Sequence, residues 1–143
     1  MTKGFIINSQ FRSLNDAINA GSFNECDPRI NLRNFPMDDL QVNATLHLYA
    51  LRTEMTTPKI VQLIDGLKQR RATTLLELCA FSANQPEAQW PFHIIATGTT
   101  METSEKHLLI PFIDSCFPDE KNLALGDSYS PWQAGSRILL AEC

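Results

Sequence analysis

Between Leu40 and Ala50 apolar and polar residues alternate without a break. Leu40, Val42, Ala44, Leu46 and Leu48 fall on one side, and Gln41, Asn43, Thr45, His47 and Tyr49 on the other. A period of two is that of a β-strand with one buried face and one wet face. Such a strand cannot stand alone: it needs paired neighbours and a layer over its apolar face, so the chain must build a sheet with something packed on it.

The rest of the chain offers the parts. Phe5-Ile6-Ile7 reads as a short strand. Ser13-Leu14-Asn15-Asp16 reads as a helix start, with a serine cap and an acid at the third position, and Gly21 as its stop. The stretch from Ser22 to Asp39, with Pro28, Pro36 and several asparagines, has little periodicity and reads as an irregular loop. Thr57-Pro58 opens a second helix that carries Ile60, Ile64 and Leu67 on one stripe and is closed by Lys68, Arg70 and Arg71.

Thr73 to Phe81 reads as a strand, with a helix as the alternative for Leu75-Leu76-Glu77-Leu78, and Asn84-Gln85-Pro86 ends it. Phe92 to Thr97 and His107 to Ile113 form the arms of a long hairpin, and Pro111 puts the second arm at a sheet edge. A loop from Cys116 to Tyr129 follows, and Ile138 to Ala141 is a last strand or a helical turn. The expected fold is a single α+β domain over residues 1–143, a mainly antiparallel sheet of four to six strands with two helices.

A chain of 143 residues can bury a core without disulfides or metals. Its net charge of −4 and the lack of a basic stripe argue against a nucleic-acid partner. The apolar run after Lys3 is too short for a signal peptide or a membrane span, so no membrane partner is expected. Cys26, Cys79, Cys116 and Cys143 are widely spaced, as reduced thiols are, and the expected location is cytoplasmic, the host cytoplasm if the chain is phage-encoded.

The most catalytic-looking stretch is Leu123-Ala124-Leu125-Gly126-Asp127-Ser128. It resembles the first block of the GDSL, or SGNH, esterase and lipase family, and the resemblance implies Ser128 as a nucleophile. A serine hydroxyl needs an imidazole base and a carboxylate behind it. The family's later blocks, Gly-x-Asn-Asp and Asp-x-x-His, have no counterpart here; His47, His93 and His107 all precede Ser128, and none has an aspartate three residues before it. The hydrolase reading therefore needs a permuted triad of Ser128 with His93 or His107. The turn reading needs only Gly, Asp and Ser, which are ordinary turn residues.

Other site chemistry is sparse. If His93 and His107 were cross-strand neighbours they could share a metal, but spacing supplies no third ligand, Cys79 and Cys116 being unconstrained, so neither a metal nor a cofactor is expected. Lys68, Arg70 and Arg71 read either as an anion site or as cations favoured by a helix C-terminus. Trp90 and Trp132 lie in polar, proline-bearing segments, where a tryptophan is a lid on the core or a stacking plate for a ligand.

Trp132 also belongs to a second likeness. Pro131 to Cys143, with Trp132 and Leu139-Leu140-Ala141 at the family spacing, resembles the C-terminal block of the second Thoeris anti-defence family, small phage proteins that sequester cyclic ADP-ribose-type signals. Leu14, Ala17, Ile18 and Ala20 match its opening helix. Ile138 stands where that block has an aspartate, Ser136 comes one place late, and the sequence reaches Cys143 where an acid and a closing Trp are expected. The resemblance implies Trp132 as an aromatic beside the ligand. Together these features point to a non-enzymatic binding protein, an inhibitor that sequesters a nucleotide-like ligand or engages a partner protein, with self-association into a homo-oligomer allowed. The alternatives are a serine hydrolase using Ser128 and a structural or assembly subunit.

Overall fold

The computed structural model describes residues 4–86, 90–115 and 120–143. In chain order the elements are β1 (Phe5–Gln10), α1 (Leu14–Ala20), β2 (Glu25–Cys26), β3 (Gln41–Ala50), α2 (Thr57–Asp65), β4 (Arg70–Ala72), α3 (Leu75–Asn84), β5 (Ile94–Ile95), β6 (Met101–Glu102), β7 (Leu108–Asp114), β8 (Asn122–Asp127) and β9 (Arg137–Glu142). The described strands join one sheet in the order β1-β3-β9-β5-β7-β8-β2, with β4 added to β9 and β6 to β7. The α+β class holds. The sheet is larger than the four to six strands expected, and it is mixed: β5 runs parallel to β9 and β2 parallel to β8.

β9 organises the molecule. Leu139 and Ala141 point into one apolar cluster, shared with α1, α3, Val42 and Leu46. Ile138 and Leu140 point into the other, with Ile60 and Ile64 of α2. Helices thus cover both faces of the central strand, which explains why its sequence is a continuous apolar run without alternation. Each such leucine or isoleucine contributes about 1.5–3 kcal/mol on full burial.

Several expectations change. The segment Thr73 to Phe81 is not a strand: Thr74 caps α3, accepting from the Glu77 N–H while the Glu77 carboxylate accepts from the Thr74 N–H. The described helices therefore number three. All residues from Leu75 to Ser82 are buried, so α3 has no wet face to show a helical period. Part of the Cys116–Tyr129 loop is β8, and Cys116 itself lies outside the described residues.

Pro111 is not at an edge, because β7 lies between β5 and β8. The Ala96 N–H still donates to the Pro111 carbonyl at 3.1 Å, and the N–H that proline lacks falls just where the paired residues of β5 and β7 end. The loop after β5 passes close to the connection between β4 and α3. At Gly98 an added Cβ would lie 2.5 Å from the Thr73 carbonyl oxygen, which accepts the Gly98 N–H.

Candidate functional site

The Gly-Asp-Ser run ends β8 in a turn. Asp127 Oδ1 accepts the Tyr129 N–H at 2.8 Å, the Asp127 carbonyl accepts from Ser130, and Ser128 N–H donates to Leu108. The other carboxylate oxygen, Oδ2, lies 2.8 Å from His107 Nδ1. That contact, with the Tyr129 N–H behind it, holds the Asp127 carboxyl below its usual range. A histidine and a carboxylate are therefore paired beside Ser128, but the carboxylate belongs to the turn. Among the described residues no hydrogen bond joins the Ser128 hydroxyl to an imidazole. Replacing Ser128 by alanine is expected to leave labelling by a fluorophosphonate ester probe at the wild-type background; a labelled band lost in the variant would restore the hydrolase reading.

The other histidines are engaged elsewhere. His93 Nε2 lies 3.5 Å from Asp114, and its ring packs 4.8 Å from Phe112. Because Ile94 pairs with Ile113, His93 sits at the far end of β7 from His107, so the two are not cross-strand neighbours. Among the described residues no group of three His, Cys, Asp or Glu side chains could hold a metal ion. Burial pushes the Cys79 thiol up, away from the thiolate form that a nucleophile needs.

The tryptophans serve the two cores. Trp132 exchanges backbone hydrogen bonds with Met55, donates its indole N–H to Thr57 Oγ1 at 2.9 Å, and meets Phe112 edge-on at 5.1 Å. Its ring lies so close over Gly126 that a Cβ there would come within 2.6 Å. It borders a cavity of about 350 Å³ together with His93 and Asp127. Trp90 stacks on Phe81 at 5.5 Å, with the Lys121 ammonium 5.7 Å from its ring. The structure does not bring Trp90 and Trp132 into one site: they belong to different apolar clusters.

A more spacious groove, about 600 Å³, lies on the α2 side of the sheet. Its floor is His47 and Tyr49 of β3, with Leu140 and Glu142 of β9; its wall is Leu67-Lys68-Gln69 and Arg70. Pairing of His47 with Leu140 and of Arg70 with Glu142 brings these side chains to one face. Glu142 Oε1 lies 2.8 Å from His47 Nε2. An ionised carboxylate only accepts, so that nitrogen carries a proton.

The basic run is not where a helix dipole would place it. α2 ends at Asp65, with Gly66 as its cap and no cation in its last turn, so Lys68, Arg70 and Arg71 lie beyond the range of that effect. Arg71 alternates to the opposite face and grips Glu77 through two bonds of 2.7 Å. Lys68 and Arg70 remain in the groove, where Arg70 donates to the Gln69 carbonyl. Gln69 itself has φ 63°, a left-handed conformation that costs a side-chain-bearing residue on the order of 1 kcal/mol. Its carbonyl also accepts the Cys143 N–H, so the residue after β9 helps to hold the strained turn.

The groove thus offers two cations, an aromatic ring and a proton-bearing imidazole, while its lining carries no serine, threonine or cysteine. Sequence reasoning passed over His47, Tyr49 and Glu142 as site residues; the wet face of β3 and the basic run were the available signals. No family model, curated protein or solved structure matches the chain. Among the described residues no helix is long and apolar enough to cross a membrane.

Proposed function

We propose that the protein is a non-enzymatic binding protein that holds a small anionic, nucleotide-like ligand in the groove between β3, β9 and the α2–β4 turn. The observation that carries this reading is the convergence of Lys68 and Arg70, outside any helix end, on a roomy groove floored by Tyr49 and the His47–Glu142 pair. Cations on flexible stems suit phosphate oxygens, and the tyrosine ring gives a planar group a surface to lie on. Binding of this kind needs no nucleophile.

Sequestration of a nucleotide-derived signal, as an inhibitor of a defence system would perform, is the biological form of this proposal. It rests on the likeness of the C-terminal block, which forms β9 and lends Leu140 and Glu142 to the groove. Trp132 then belongs to the α2-side apolar cluster against which Tyr49 and Leu67 of the groove pack, with its N–H already taken by Thr57.

Heating the purified protein and analysing the released small molecules by mass spectrometry tests the proposal. A phosphate-bearing compound recovered intact, in proportion to protein, is the expected result. A preparation that releases nothing and binds no nucleotide from a mixed panel would remove it, and would shift weight to a protein partner.

A further inference from the structure

β1 is the outermost strand of the sheet and pairs with β3 on one side. Among the described residues no main-chain hydrogen bond reaches its other side. Exposed edges are usually guarded by charge, proline, a bulge or brevity. Phe5-Ile6-Ile7-Asn8-Ser9-Gln10 has none of these: six residues long, it carries neither charge nor proline, and its register with β3 is unbroken. The opposite end of the sheet is guarded, since β2 has only two residues and one is Glu25. Ile6 is 81% exposed.

We infer that β1 is a self-association edge, on which a second copy of this chain adds its own β1 antiparallel. The occupant follows from charge and symmetry. Each copy carries a net charge of −4, so two copies repel over most of their surfaces, and a strip without charges is where they can approach at least cost. An antiparallel pair of identical strands is related by a two-fold axis through the sheet, and directly opposite residues share a face. A pairing centred on Ile7, for example, sets Ile7 against Ile7 of the partner subunit and Ile6 against Asn8 of the partner subunit. Side chains that point to the helix-covered side do so in both copies.

This geometry has a consequence for the groove, although it holds whatever the groove contains. Ile6 pairs with Thr45 of β3, two residues before His47. The two-fold axis keeps both grooves on the same face of one continuous sheet, each a single strand away from the junction.

Sedimentation equilibrium of the full chain, at concentrations up to about 300 µM, tests the inference by mass action. The expected result is a rise toward twice the 16.1 kDa chain mass, abolished by Ile6→Lys and kept by Val61→Lys, which alters an exposed apolar residue on α2. Circular dichroism should show both variants folded, since both side chains are exposed. A wild-type protein that stays at the single-chain mass, or an Ile6→Lys protein that still associates, would overturn it.

Discussion

Replacing Trp132 by alanine should destabilise the protein by about 3–5 kcal/mol, as loss of a buried large aromatic does. For a chain of this size that corresponds to a fall in Tm of roughly 10–15 °C. The residue is 6% exposed, joins α2 to the sheet through Thr57 and Met55, and fills the space over Gly126. Trp132→Phe keeps a ring but leaves the Thr57 hydroxyl without its donor, and should cost about 1–3 kcal/mol. Thermal unfolding with a parallel binding titration distinguishes the two roles of this tryptophan. A Trp132→Ala protein that melts like wild type but no longer binds ligand would make it a stacking plate.

The second large effect concerns the groove. Exchanging Lys68 and Arg70 together for alanine should weaken binding of ADP about 100-fold or more, because each charge-assisted hydrogen bond contributes about 1.5–3 kcal/mol. Stability should change by less than about 0.5 kcal/mol per residue, since neither side chain makes an ion pair with a described residue. Arg71→Ala is the contrasting control. It breaks the two bonds to Glu77, on the other face of the sheet, and should alter stability while leaving affinity unchanged. Glu142→Gln removes the groove's one negative side chain and should raise affinity for the anion several-fold. Isothermal titration of the four proteins reads the affinities and thermal unfolding reads the stabilities; equal affinity in the Lys68/Arg70 variant would place the ligand elsewhere.

Elements with one wet face were legible in the sequence. The alternation of β3 and the caps of α1 follow from local patterns that the structure keeps, with Ser13 accepting the Asp16 N–H. Elements buried on every side were not. α3 shows apolar residues on all faces, and β9 shows them on both, so neither reveals its period. The Thr74-Leu75-Leu76-Glu77 capping box was the one local signal that marked α3 as a helix.

The site was harder still. Lys68 and Arg70 are close in sequence to a helix end, and only the position of the Gly66 cap shows that they lie past it. The His47–Glu142 contact joins residues 95 apart, and depends on the β3–β9 register, which no short pattern encodes. Conversely, Gly-Asp-Ser looked catalytic because turn chemistry and nucleophile presentation use the same residues. In three dimensions His107 pairs with Asp127, whose other oxygen caps the turn, and among the described residues no hydrogen bond joins His107 to Ser128.

The central claim is that this chain holds an anionic ligand between β3, β9 and the α2–β4 turn and leaves it chemically unchanged. An NMR titration of the isotope-labelled protein with ADP, following backbone amides and the phosphorus signals together, tests it most directly. The account predicts shifts concentrated at His47, Gln69, Arg70 and Glu142, with the phosphorus spectrum still that of ADP after prolonged incubation. Shifts confined to the His93 and Trp132 cavity, or the appearance of a new phosphorus species, would contradict it.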